Sequence, residues 1–133
     1  QYHLQGNNCI ESVLKTCNDT MNLQLPDVAI RMASGMGGGI GRSGCVCGAL
    51  SGACLVIGAL VGRLIPDEKP LPEVYKYTSE FHDRFKEHFG ATCCRALNTL
   101  SFGTPEYRKH CIKITATAAD MVSDFVAEKG LLK

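Results

Sequence analysis

Apolar residues recur at helical spacing along most of the chain, and alternation with a period of two appears nowhere at length. Asn7 or Asn8 can cap a first helix by accepting the free N–H groups of its opening turn, after which Cys9, Val13 and Cys17 fall on one face with Ile10 and Leu14 beside them. A second helix opens at Leu25-Pro26-Asp27, where proline suits the first turn, carries Val28, Ile30, Arg31 and Met32, and stops near Gly35. The strongest amphipathic signal runs from Glu73 to Phe89: Tyr77, Phe81, Phe85 and Phe89 form a core stripe, with Lys76, Glu80, Asp83, Arg84 and Glu87 on the other faces. Gly90 ends that helix, and Cys93 to Leu97 starts a short segment. Thr104 and Pro105 open a last helix with Cys111, Ile114, Ala118, Val122 and Phe125 on a common side.

Two stretches break this regularity. Six of the ten residues from Gly35 to Gly44 are glycine, which costs too much backbone entropy for regular helix and predicts a loop or a tight helix junction. Nineteen residues from Gly44 to Gly62 carry no charge, between Arg42 and Arg63. That run has the length of a membrane span, and Gly48-x-x-x-Gly52 and Gly58-x-x-x-Gly62 have the small-residue spacing of packed membrane helices. It would be a single, glycine-rich span between ordinary amphipathic segments, so direct membrane insertion is disfavoured and a helix wrapped by the others is expected. Pro66, Pro70 and Pro72, with Asp67, Glu68 and Lys69 among them, mark a solvated connection. The expected architecture is all-α, a single domain over residues 1–133. It is a compact bundle of five or six helices around a glycine-rich apolar central helix from about Gly44 to Leu64.

Charge adds little: 14 Lys and Arg against 13 Asp and Glu give no field that favours nucleic acid or a membrane surface. The chain starts at Gln1 without the basic start and apolar core of an export signal, leaving open whether a leader preceded it. Eight cysteines are more informative, because a 133-residue chain can bury its own core and does not need staples. This thiol usage predicts a cytoplasmic, reducing location. No Cys-x-x-Cys occurs, which removes the zinc-ribbon, thioredoxin and covalent-haem patterns; the close pairs are Cys45-Val46-Cys47 and Cys93-Cys94. Cys47 and Cys54 are expected on one helix face, and Cys17 and Cys54 in the core. A Cys45–Cys47 disulfide would close a strained ring. A phosphate-loop reading of Gly35 to Gly41 lacks a leading strand and a terminal Gly-Lys-Ser/Thr, so close packing is the expected role. The histidines His3, His82, His88 and His110 share no spacing, although His110 adjoins Cys111 and could modulate its thiolate.

The segments Asn8-Cys9, Gly37-Gly38-Gly39-Ile40-Gly41-Arg42, Val46-Cys47-Gly48-Ala49-Leu50-Ser51-Gly52-Ala53 and Cys94-Arg95-Ala96-Leu97, followed by an isolated Cys111, resemble the redox-active proteins named for their C_GCAxxG_C_C pattern. The likeness covers nearly the whole chain, although Val46 stands before Cys47 where the name has glycine. It implies a site of four cysteines, Cys9, Cys47, Cys94 and Cys111, as redox or metal residues. A related region of split-Soret cytochromes is associated with an iron–sulfur cluster, and other members lie near transporter genes. Cys17, Cys45, Cys54 and Cys93 are additions, and Cys45 or Cys93 could stand in for its neighbour.

Four gathered thiolates repel unless a metal or protons neutralise them, which makes an iron–sulfur cluster or another thiophilic metal the first expectation. Gly48 and Gly52 would then give close backbone contact to the cofactor. The function expected is electron transfer or redox sensing with a redox partner not identifiable from the chain, and glycine-rich helix faces that suit a homodimer. Two alternatives stand beside it. One is a thiol–disulfide protein without metal; the other is a membrane or transporter-associated accessory protein whose cysteines only pack.

Overall fold

The computed structural model describes residues 1–68 and 70–132, and within them six helices account for the fold, as the sequence pattern predicts. We number them α1 (Cys9–Met21), α2 (Asp27–Ala33), α3 (Gly48–Val61), α4 (Leu71–Phe89), α5 (Cys94–Leu97) and α6 (Pro105–Glu128). The caps explain the boundaries. Asn8 Oδ1 accepts from Glu11 N at 2.9 Å and Glu11 Oε1 accepts from Asn8 N at 3.0 Å, a reciprocal cap that fixes the start of α1. Thr104 Oγ1 accepts from Tyr107 N ahead of Pro105 at the start of α6. Gly90, with φ 85°, closes α4 in a left-handed conformation that costs glycine little.

Helices α1, α3 and α6 pack on one another at the centre, α4 lies along α3 and α6, and α2 lies against α1. Phe81, Phe85 and Phe125 are the largest buried side chains; the Phe81 and Phe125 rings meet edge to face at 5.6 Å. Tyr77 and Phe89, the outer members of the α4 stripe, are half-buried against this core. Close approach of α3 to α1 depends on glycine: a methyl group at Gly52 would lie 3.2 Å from Val13 Cβ and 3.3 Å from Ile10 Cγ1. Cys17 is buried in the core and Cys54 packs half-buried against it. No helix among the described residues is long and apolar enough to cross a membrane.

The central helix is shorter than the uncharged run suggests. It begins at Gly48, because Cys45–Cys47 is extended: Cys47 N donates to Thr92 O at 2.8 Å and Cys94 N to Cys45 O at 2.5 Å around an isolated antiparallel bridge between Val46 and Cys93. Cys47 is therefore the N-cap of α3, not a member of one helical face with Cys54. At the other end the helix stops at Val61, short of Leu64.

The glycine run forms a left-handed turn. Gly38, Gly39, Ile40, Gly41 and Arg42 have φ of 67°, 71°, 69°, 58° and 67° in succession. Left-handed backbone costs an L-residue about 1–2 kcal/mol, which accounts for glycine at three of these five positions and leaves Ile40 and Arg42 strained. Hydrogen bonds from Cys45 N to Gly39 O at 2.9 Å and from Gly44 N to Gly38 O at 3.2 Å hold the turn against the bridge segment.

Gly39 is the most constrained position. A methyl group there would sit 2.5 Å from Cys45 N, 2.7 Å from Cys45 O and 2.8 Å from Cys94 Cβ, at a φ that L-residues rarely adopt. Gly39→Ala is expected to lower stability in urea denaturation by about 3 kcal/mol or more, the sum of the left-handed penalty and overpacking against backbone. Gly90→Ala, with nothing within 4 Å, is expected to lose only about 1 kcal/mol from its positive φ.

Candidate thiol redox centre

Cys9 is the first residue of α1, Cys47 caps α3, Cys94 opens α5 and Cys111 lies in the second turn of α6. The bridge between Cys45–Cys47 and Thr92–Cys94 brings the second and third together, and the contact of α1 with α6 brings the first and fourth together. The sulfurs form one chain of interactions. Cys9 and Cys111 line the same cavity and each shifts the other's titration, Cys47 feels the charge of both Cys9 and Cys94, and Cys94 Sγ lies 3.2 Å from the Tyr107 hydroxyl. All eight cysteines are free thiols.

Their electrostatics differ sharply. The Cys111 thiol donating to Cys9 holds Cys9 down at about 6, against burial, with help from the backbone N–H groups of Gly38, Ile10 and Cys9 itself. The same contact, together with burial and the neighbouring charges of Cys9 and Cys47, pushes Cys111 far up. One proton is thus shared between two sulfurs, with the negative charge on Cys9 at the N-terminus of α1, where free N–H groups favour it. Burial raises Cys47 to about 11 despite the amides of Ala49 and Leu50, and Cys17 to about 12. Those two are poor nucleophiles.

Glycine makes the approach possible. A methyl group at Gly48 would collide with Cys9 Sγ, and one at Gly37 with the Asn8 side chain, whose Nδ2 donates to Ser34 O at 3.0 Å. Gly52 instead meets α1 side chains, one turn away from the sulfurs. Of the added thiols, Cys45 is exposed and Cys93 half-exposed, whereas Cys47 and Cys94 are buried. His110 Nε2 lies 2.8 Å from Leu97 O.

Tyr107 is the residue that the sequence reading missed. Burial first, then the contact with Cys94, raises its phenol, so it stays protonated and can donate to a sulfur. Its spacing was available as a signal: Tyr107, Cys111 and Thr115 stand four apart on α6, where the Thr115 hydroxyl donates to the Cys111 carbonyl at 2.7 Å. Asn98, buried, donates to Tyr107 O at 2.9 Å and ties α5 to this stripe.

The pattern of residues 7–125 matches the family described as "Putative redox-active protein (C_GCAxxG_C_C)". The chain belongs to this family. It is also similar to a curated "Uncharacterized protein" of Archaeoglobus fulgidus, 27% identical over 122 residues that cover 86% of this chain and 81% of that one. No solved structure matches it. The matched span contains Cys9, Cys47, Cys94 and Cys111 and the glycine turn. Among the described residues, however, no three His, Cys, Asp or Glu side chains are arranged to hold a metal ion. As they stand, Cys9 and Cys111 engage one another and Cys94 engages Tyr107.

The shared proton gives a pH signature. Cys9 should be unreactive below about pH 6 and gain thiolate as the pH rises through that value. Peptide-resolved alkylation by iodoacetamide is expected to show a midpoint near 6 at Cys9. In Cys111→Ala, which removes the donor, the midpoint should move up toward the ordinary thiol value of about 8.5. The linked stability follows the same signs. Cys9 ionises more readily folded than unfolded, so its contribution is complete above about 8.5 and is lost as pH falls through 6. Cys111 has the opposite sense and loses its contribution above about 8.5, so the pair stabilises the fold most near that pH.

Proposed function

We propose that the protein is a thiol–disulfide redox protein whose working pair is Cys9 and Cys111. The observation that carries this reading is that Cys9 and Cys111 line one cavity as electrostatic neighbours, with the charge favoured on Cys9 and the proton on Cys111. That is the arrangement a two-cysteine exchange reaction requires: one sulfur already a thiolate at neutral pH, the other protonated until needed.

The chemistry balances without a further reagent when the oxidant is a disulfide. The Cys9 thiolate attacks one sulfur of the oxidant, forming a mixed disulfide and expelling the other sulfur as a thiolate. That leaving thiolate takes the Cys111 proton. The Cys111 thiolate then attacks Cys9 Sγ, closes the Cys9–Cys111 disulfide and releases the second half of the oxidant as a thiolate. Two electrons pass from the protein to the oxidant, and the reverse sequence restores the dithiol. Cys47 adds to the charge that Cys111 faces, and Cys94 is hydrogen-bonded to Tyr107.

One observation favours a second reading. All four family cysteines share one buried neighbourhood, which suits an iron–sulfur cluster on Cys9, Cys47, Cys94 and Cys111 once the sulfurs leave their present partners. The two readings differ in which cysteines they need. Reduction of a small disulfide by the purified dithiol protein should fall by at least a hundredfold in Cys9→Ser and Cys111→Ser. It should change by less than about fivefold in Cys47→Ser, a residue outside the exchange. Iron and labile sulfide in protein made anaerobically with added iron, lost in Cys47→Ser, would establish the cluster reading instead.

A further inference from the structure

The glycine turn and the start of α6 enclose a cavity of about 790 Å³, open to solvent, with Cys9, Cys111 and Tyr107 in its wall. Its remaining chemistry is one-sided. Arg42 and Arg108 line it, no aspartate or glutamate does, and neither guanidinium has a carboxylate partner among the described residues. Arg108 donates to the carbonyl of His3 at 2.5 Å, and Arg42 stands 6.0 Å from the Phe102 ring. Both leave much of their donor capacity unused. His3 is a further unmet demand: both its ring nitrogens are buried in the cavity wall without a hydrogen-bond partner. The strain in the glycine turn bears on the same place, since Arg42 is held at φ 67°, a conformation that other residues avoid and that the fold sustains at the cavity's edge.

We propose that this cavity binds a small disulfide bearing carboxylates, with a carboxylate on Arg42 and Arg108 and the disulfide against Cys9. The inference rests on the thiol-exchange reading and names its substrate class. Planar guanidinium groups match carboxylate oxygens in pairs. The volume suits a small molecule better than a folded protein partner, whose disulfide would have to reach a nearly buried Cys9. The reaction is the exchange above: the bound disulfide accepts two electrons from the pair and leaves as one thiol, carrying the Cys111 proton, and one thiolate.

The test compares three small disulfides of matched reach and different charge: dithiodipropionate, hydroxyethyl disulfide and cystamine. Oxidation of the dithiol protein should be about tenfold faster with the anionic reagent than with the neutral one and slowest with the cationic one, a spread that shrinks as salt is added. The double variant Arg42→Gln/Arg108→Gln should bring the anionic-to-neutral ratio close to one. Suberate, the unreactive carbon counterpart of dithiodipropionate, separates the two layers of inference, because it should protect Cys9 from iodoacetamide in the parent protein and not in the double variant. Equal rates for all three disulfides without suberate protection would overturn the anion site while leaving thiol exchange standing. Suberate protection without oxidation by any disulfide would support the anion site and overturn its disulfide substrate together with the exchange reading.

Discussion

The structure depends on one steric fact: between Gly37 and Gly48 the backbone comes closer to Asn8, Cys9 and Cys94 than side chains would permit. Methyl groups at Gly37, Gly39 or Gly48 would collide with the Asn8 side chain, the Cys45 backbone or the Cys9 sulfur. Their absence lets the left-handed turn lie between α1 and the Cys45–Cys47 bridge. It also lets the amide of Gly38 reach the Cys9 sulfur. Packing and chemistry here share one cause, since the residues that let the elements approach also deliver N–H groups to a thiolate.

The second layer is electrostatic. Four sulfurs in a buried neighbourhood cannot all ionise, and the protein resolves this by ranking them. Cys9 takes the charge because it has a thiol donor and a helix N-terminus; Cys47 is held neutral by burial; Cys111 keeps its proton because it faces a charge already in place. The same ranking supports the proposed couple of one nucleophilic and one resolving thiol. On the surface, Arg84 and Lys129 bridge Glu80 and Glu128 between α4 and the end of α6, exposed pairs that contribute little to stability and lie apart from the thiols.

Helices were legible where periodicity and caps agreed. The Phe81 and Phe85 stripe, the Asn8 cap, and the Thr104-Pro105 start are local signals, and each appears where the residues predict it. The start of α3 was not legible, because an uncharged run reads alike as buried helix and as buried extended chain. Only the hydrogen bonds from Cys47 to Thr92 and from Cys94 to Cys45 decide between them. Glycine density announced an irregular segment but not its hand, since five consecutive positive φ values leave no periodic trace in a sequence. Tyr107 was missed because an aromatic residue four positions before a cysteine is ordinary helix patterning until Cys94 arrives from another segment. That the four cysteines belong to one site came from likeness to a family. Their spacing of 38, 47 and 17 residues carries no geometric information.

Whether Cys9 and Cys111 are the redox pair is decided by the connectivity of the first disulfide formed. Dithiol protein would be titrated with one equivalent of oxidant, remaining thiols alkylated at low pH, and the bond located by mass spectrometry of peptides. The expected product is a bond between Cys9 and Cys111, with Cys47 and Cys94 still alkylatable after denaturation. A first bond between Cys47 and Cys94, or between Cys45 and Cys47, with Cys9 and Cys111 left free, would contradict it.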